Sequence, residues 1–600
     1  MKRSLIIIIL ISISGSILYA IPPSKKIRFK VKSVSYQGNK KYSASQLNKV
    51  ILSRPSSIIN PVYYIDDIFQ DDLRGLPLFY QQNGYLEAKV TNYNVSLDSV
   101  KRAARISFTI EEGKLTRIEG ISILGNSIIT DQDIQVAIPI KEGKALKSKE
   151  IENSTLIILR KYAEIGYLDA DIKPDVRINS EAHTALIDFI IEEKGQYKIS
   201  KISISGLEKS KSFILTRELN FKAGEIVNYS KLLQSQRQLY LTGLFESVFI
   251  RPIPPENDMP NTKDILIETK EKTFGEFNVS VGYGTIEKIR GKTEISYNNL
   301  RGSAQKLGLI FKLSFINRGI ELSFTEPWTF HTRWRTDLAT TYEYLKEPGY
   351  DLTRLGARIA IGRKFREHSN STITYRYEND KLSQIKVPNI PAEMKSNIRA
   401  LKLSLIFDNR DNLFNTTKGT YIEFSNELAG SFLYGTNSFF RSNLLMKKFL
   451  SAGINTFIGT HLDLAWIDAA GGLSSIPLYE RLYAGGPNAL RAFDYQTVGP
   501  VEVDDEGNFI PSGGRYSLVW NVIEIRQSVY KSFGLEGFVD LGNVWKSPKD
   551  VALSDIRHSL GIGVRYNSLI GLARMDYAVN LSPQSGEDKG KIYFSMGQAF

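Results

Sequence analysis

Phe277-Asn278-Val279-Ser280-Val281-Gly282-Tyr283 is the stretch whose reading decides the fold. Successive side chains of a strand point to opposite faces. Phe277, Val279, Val281 and Tyr283 therefore share one face, and Asn278, Ser280 and Gly282 the other. The far end repeats the pattern: Ile592, Phe594, Met596 and Phe600 oppose Tyr593, Ser595, Gly597 and Ala599. Short alternating segments of this kind dominate from Thr273 onward. Apolar outward and small or polar inward is the pattern of a barrel in lipid. Such strands must close into a ring, because an open edge finds no partner in hydrocarbon. At about 20 residues per strand and turn, residues 273–600 hold about 16 strands, an even number as single-chain barrels require. All five tryptophans, Trp328, Trp334, Trp466, Trp520 and Trp545, lie in this half. Interfacial aromatic belts account for that, with core packing the rival reading for any one of them.

Working back from Thr273, a different unit repeats three times. Val34-Ser35-Tyr36-Gln37-Gly38-Asn39, Ile123-Leu124-Gly125-Asn126 and Ile204-Ser205-Gly206-Leu207 each end a strand at a glycine suited to a tight turn. A helical stretch follows, such as Ser45 to Leu52 with Ser43 as its cap. A second helix runs into Tyr80…Gly84-Tyr85, Tyr162…Gly166-Tyr167 or Tyr240…Gly243-Leu244-Phe245. Two strands close each unit, for example Arg105 to Glu111 and Leu186 to Glu192. Strand, helix, helix, strand, strand makes a small α+β module with both helices on one sheet face.

The start of the chain reads as an export signal: Lys2 and Arg3, then an apolar run from Leu5 to Leu18, then Ala20 before Pro22-Pro23. There is no cysteine, which excludes disulfides, cysteine metal sites and an N-terminal lipidated cysteine. The net charge of +13 is spread along the chain, so it reads as solubility and attraction to anionic lipid headgroups. An export signal argues against nucleic acid as a partner.

The Gly-Asn turn and Gly-Tyr landmark of the repeats resemble polypeptide-transport-associated (POTRA) domains. Several barrel segments resemble the outer-membrane assembly superfamily that includes BamA and TamA. Phe407-Asp408-Asn409-Arg410-Asp411, with Lys418-Gly419-Thr420-Tyr421, is similar to its D-x-R-D hairpin. Asn299-Leu300-Arg301-Gly302 is similar to its N-L-x-G turn. Gly485-Gly486-Pro487-Asn488-Ala489-Leu490-Arg491-Ala492-Phe493 resembles its long sixth loop, with Ala492 where the family carries glycine. If that position needs positive φ, alanine is strained there.

The resemblance implies an organisation of signal peptide 1–20, POTRA modules 27–112, 113–195 and 196–272, and a barrel 273–600. It also implies that the loop enters the barrel and that Arg491 meets acidic groups on the wall. The candidates are Asp540 in Phe538-Val539-Asp540-Leu541-Gly542 and Glu524 in Asn521-Val522-Ile523-Glu524. Leu490, Phe493, Gly485 and Gly486 would shape the loop, and Phe538 and Gly542 the wall. A guanidinium fork suits paired carboxylates. The first barrel strand must meet the last. Phe277, Val279, Val281, Gly282, Tyr283 and Gly284 on one side and Ile592, Phe594, Met596 and Phe600 on the other form that seam, weakened by glycine.

Enzyme chemistry finds no support. The five histidines lack metal-ligand spacing, and Gly291-Lys292-Thr293 lacks the first glycine of a phosphate loop. No cofactor is expected. The resemblance implies a factor that inserts or exports unfolded outer-membrane protein clients, working against outer-membrane lipid or lipopolysaccharide. Three modules favour the TamA branch, which implies a TamB-like periplasm-spanning partner; a BamA-type role implies assembly lipoproteins. Alternatives are a two-partner secretion transporter carrying one exoprotein, and a passive porin. Entry into the first module strand almost at once after Ile27 counts against the first, and an inward loop against the second.

Overall fold

The computed structural model describes residues 28–57, 60–257, 259–366, 368–413, 416–453, 455–504, 506–530, 532–568 and 571–596. The expected signal peptide and Phe600 lie outside the described residues. The chain parts into two compact units. One runs to Ser203 and includes Asn220–Gln234 and Arg251–Leu266. The other comprises Ile204–Leu219, Ser235–Ile250 and everything from Ile267.

Each module is a three-stranded sheet in the order first, third, second. In the first module Lys30–Gln37 runs parallel to Ala103–Glu111, which pairs antiparallel with Lys89–Asp98. In the second, Arg117–Leu124, Thr184–Glu192 and Asp171–Asn179 repeat that arrangement. The long helices Asp66–Gln82 and Ser148–Glu164 bury Phe69, Asp72, Leu76 and Tyr80, and Ile151, Ser154, Ile158 and Tyr162. The spacing is identical in both, one apolar stripe facing the sheet. Buried Asp72 is satisfied by the N–H groups of Leu52 and Ser53 at 2.7 and 2.8 Å, as a buried carboxylate must be. The first helix of module one is shorter than its sequence suggests, Ala44–Leu47, closed by a capping box of Ser43 and Gln46.

The turn glycines have a common cause. Gly38, Gly125 and Gly206 take φ of +83°, +85° and +83°, and a Cβ there would sit 2.0, 2.2 and 1.8 Å from a carbonyl oxygen of the closing strand. Two residues past that carbonyl a glutamate folds back over the turn in every module. Glu112 accepts from the Lys41 N–H, Glu193 from Ser127 and Ile128, and Glu271 from Lys209 and Ser210. Burial favours the neutral form of Glu193, but bonds from the Ser127 hydroxyl, the Ile128 N–H and the Tyr162 hydroxyl outweigh it and hold its pKa at about 2.

The second unit holds a closed ring of sixteen antiparallel strands, Gly275–Gly284 the first and Gly590–Met596 the last. Its outer face is apolar and its wall is polar within: Glu427, Glu536, Asp540 and Asp576 are buried. Gly291-Lys292-Thr293 lies inside the second strand, Lys288–Leu300, so it is not a strand-to-helix phosphate loop. Trp334, Trp466 and Trp520 are exposed on the ring. Trp545 is buried, and Trp328 donates to Glu218 at 2.7 Å. Core packing is the reading for Trp545, whereas Trp334, Trp466 and Trp520 have the exposure that a belt requires.

Candidate functional site

The connection between the eleventh strand (Thr456–Asp468) and the twelfth (Tyr516–Tyr530) folds into the barrel. Its tip is a tight turn. Gly485 has φ of +103°, and a Cβ there would meet the Asp494 carbonyl oxygen at 2.5 Å. The Gly486 N–H donates to the Leu490 carbonyl at 3.1 Å. Leu490, Ala492 and Phe493 are buried in one apolar cluster with Val519, Phe538 and Ala578. Ala492 has an ordinary negative φ, so the expected strain does not arise.

That cluster delivers Arg491 to the wall with 4% of its surface exposed. Its Nη2 and Nε donate to the two oxygens of Asp540 at 2.7 and 2.9 Å, and its backbone N–H reaches Asp540 at 3.2 Å. Nη1 donates to Glu536 at 2.9 Å and lies 3.5 Å from Glu524. The guanidinium carbon stands 3.3 Å from the centroid of Phe538, a stacked cation–π contact. Asn521 ties loop to wall by donating to the Ala489 carbonyl at 2.9 Å and to Asp540 at 2.8 Å. Gly542 lies in register with Val519 of the twelfth strand. Of the two acids singled out from sequence, Asp540 makes the fork and Glu524 sits at its margin. Sequence reasoning passed over Glu536, although it shares the period-two face of Phe538 and Asp540.

Among the described residues the first and last strands pair only at Tyr283 with Met596 and Gly284 with Ser595. Thr285 adds a bond from its N–H to the Phe594 carbonyl at 3.0 Å, and its Oγ1 accepts from the Phe594 N–H at 2.8 Å. The Tyr283 and Phe594 rings lie 5.9 Å apart. Phe277, Val279, Val281 and Ile592 are exposed on the outer face. A Cβ at Gly282 would sit 2.7 Å from the Met596 carbonyl oxygen, so only glycine allows the two strands to approach there. A contact that sequence did not suggest joins this seam to the loop. Tyr593 donates its hydroxyl to the Phe493 carbonyl at 2.7 Å, and Lys591 pairs with Asp494 at 2.9 Å. The first strand meets the loop across a cavity of about 380 Å³ bordered by Gly284, Thr285, Ala489, Tyr593 and Phe594.

The model of the Omp85 superfamily domain matches residues 299–600, and that of the POTRA type, the surface antigen variable number repeat, matches 29–113, 116–194 and 197–272. The chain belongs to the Omp85 superfamily. Its barrel is an outer-membrane barrel, and its POTRA modules are periplasmic. The chain is similar to the outer membrane protein assembly factor BamA of Neorickettsia risticii, 24% identical over 95% of this chain and 78% of that one. It is also similar to BamA of Neisseria meningitidis, 21% identical over 95% and 78%. The solved BamA of Haemophilus ducreyi lacking POTRA domains 1–3 shares the fold, with a TM-score of 0.67, 21% identity, and coverage of 80% of this chain and 99% of that one. These relatives carry the BamA name.

Proposed function

We propose that this Omp85 protein assembles β-barrel or autotransporter-type clients into the outer membrane, using its first-to-last strand seam as a lateral gate. The observation that carries the reading is the closure of the ring itself: the first and last strands meet at Tyr283 with Met596 and Gly284 with Ser595, and only glycine at 282 lets them approach beside the Met596 carbonyl. When that closure parts, the first strand presents backbone groups that a client strand can satisfy by β-augmentation. POTRA sheet edges offer the same chemistry to an unfolded chain before it reaches the barrel.

The Arg491 fork holds the wall opposite in character to the gate. Loop contacts to Lys591 and Tyr593 keep the last strand with the loop, while the cavity leaves the first strand free to move. Partners under this reading are unfolded outer-membrane clients, outer-membrane lipid or lipopolysaccharide, and either assembly lipoproteins or a TamB-like protein. No step involves covalent catalysis or a cofactor.

Depletion followed by quantitative outer-membrane proteomics tests the reading. Broad loss of barrel proteins is expected. Loss of one secreted protein with the barrel proteome intact would favour the two-partner secretion alternative and overturn it.

A further inference from the structure

We propose that Glu480 is a second anchor of the inward loop, opposite in sign to Arg491, and that the two together make the loop a strut across the lumen. The proposal deepens the gate reading and rests on it.

Glu480 lies in the arm of the loop that precedes the Arg491 tip, on a short turn Leu478–Glu480. It is 3% exposed. One carboxylate oxygen accepts from Arg376 Nη2 at 3.0 Å and the other from Arg441 Nη2 at 2.6 Å. The same Arg441 nitrogen also donates to the Glu480 backbone carbonyl. Arg376 belongs to the seventh strand (Asn370–Ser383) and Arg441 to the tenth (Phe439–Ser451). Flanking apolar side chains seat the arm on this wall. Leu478 packs with Tyr350, Leu352 and Leu382, and Ile476 with Ile398, Ala400 and Phe439.

The charges explain why a carboxylate is needed here. Arg376 already shares Glu378 and Glu427 at 2.5 and 2.6 Å, and Arg354 shares Asp380 at 2.8 Å. Among the described residues Arg441 has no acid within ion-pair distance other than Glu480. The loop therefore brings the counter-charge that Arg441 does not find on the wall. At the other anchor the loop brings a cation to Asp540, while the neighbouring Glu536 and Glu524 also pair with Arg565 and Arg526 of the wall. Each end of the loop would meet like charge at the other's site, so the pair of anchors fixes which arm goes to which wall. Mechanically, the seventh and tenth strands are tied through Glu480, and the twelfth and thirteenth through Arg491. When the first and last strands part, the ring keeps its shape through this strut.

The test measures ion conductance of the full-length protein in planar bilayers without a client, with heat-resistant electrophoretic mobility as the check on barrel folding. Glu480→Gln should keep the folded mobility and raise the frequency of large open-channel events on the order of tenfold, the scale of losing one buried charge-assisted hydrogen bond. Arg441→Gln should do the same. The double variant should be no worse than Glu480→Gln alone, since that single change already breaks the ion pair to Arg441. If Glu480→Gln does not fold, Arg441→Gln is read by the same criterion from the wall side. Wild-type conductance in the folded variant, or additive effects in the double variant, would overturn the proposal. Because no client is present, such a failure leaves the assembly reading intact. Failure of the assembly reading would instead appear in the proteome of depleted cells.

Discussion

Two closures of one ring differ in how firmly they are held. The twelfth and thirteenth strands share thirteen register partners among the described residues, and their inner face is pinned by the Arg491 fork. The first and last strands share two, with no ion pair between them among the described residues. Backbone hydrogen bonding is the same chemistry in both places. What differs is whether a buried charge from the loop spans the inner face. A barrel in lipid has no tolerance for open edges, so a seam that opens must be paired again by an incoming strand.

The comparison can be broken most severely at the locked wall. Arg491→Ala leaves Asp540 and Glu536 buried without their shared cation, a loss of about 3–5 kcal/mol for a buried pair. The temperature at which the folded barrel loses its electrophoretic mobility should fall clearly. Arg491→Lys should fall between, because an ammonium cannot make the fork to both Asp540 oxygens. Mobility equal to wild type in the alanine variant would remove the contrast between the two closures.

Gly282→Val acts on the seam. Its side chain would strike the Met596 carbonyl, and overpacking costs about 1–3 kcal/mol. Hydrogen exchange at the Phe594 amide should speed up while the Asp540 strand stays protected. Tyr593→Phe is milder. Losing the hydroxyl bond to the Phe493 carbonyl costs about 1 kcal/mol, and exchange should rise in the last strand only.

The smallest effect lies outside the ring and calibrates it. Glu193 titrates lower folded than unfolded, so it adds stability above the ordinary glutamate range that is lost as pH falls toward about 2. Glu193→Gln should flatten the acid dependence of exchange around Ser127 and Ile128, leaving barrel amides unchanged.

Period-two alternation made the ring legible because a lipid-facing side chain must be apolar whatever its partner. The repeats were legible because each Gly38-type turn tolerates only glycine against a carbonyl. Arg491 and Asp540 stood out by local motif. Glu536 was equally available, four residues before Asp540 on the same face, and needed only the alternation rule to be carried further. Glu480 was not legible at all. Its partners Arg376 and Arg441 are ordinary strand arginines until barrel register brings them under one loop residue. The folded-back glutamates of the modules were hidden for a similar reason, since each caps a turn some seventy residues earlier in the chain. Ala492 misled because the family pattern suggested a φ that this loop does not require.

The most direct test of the gate uses the absence of native cysteine. Gly284 and Ser595 are register partners across the seam, and such partners lie within disulfide reach. With Gly284→Cys and Ser595→Cys in cells depleted of the wild-type copy, oxidation should stop client assembly and reduction should restore it. Client assembly that continues at the wild-type rate with the seam oxidised shut would contradict lateral opening.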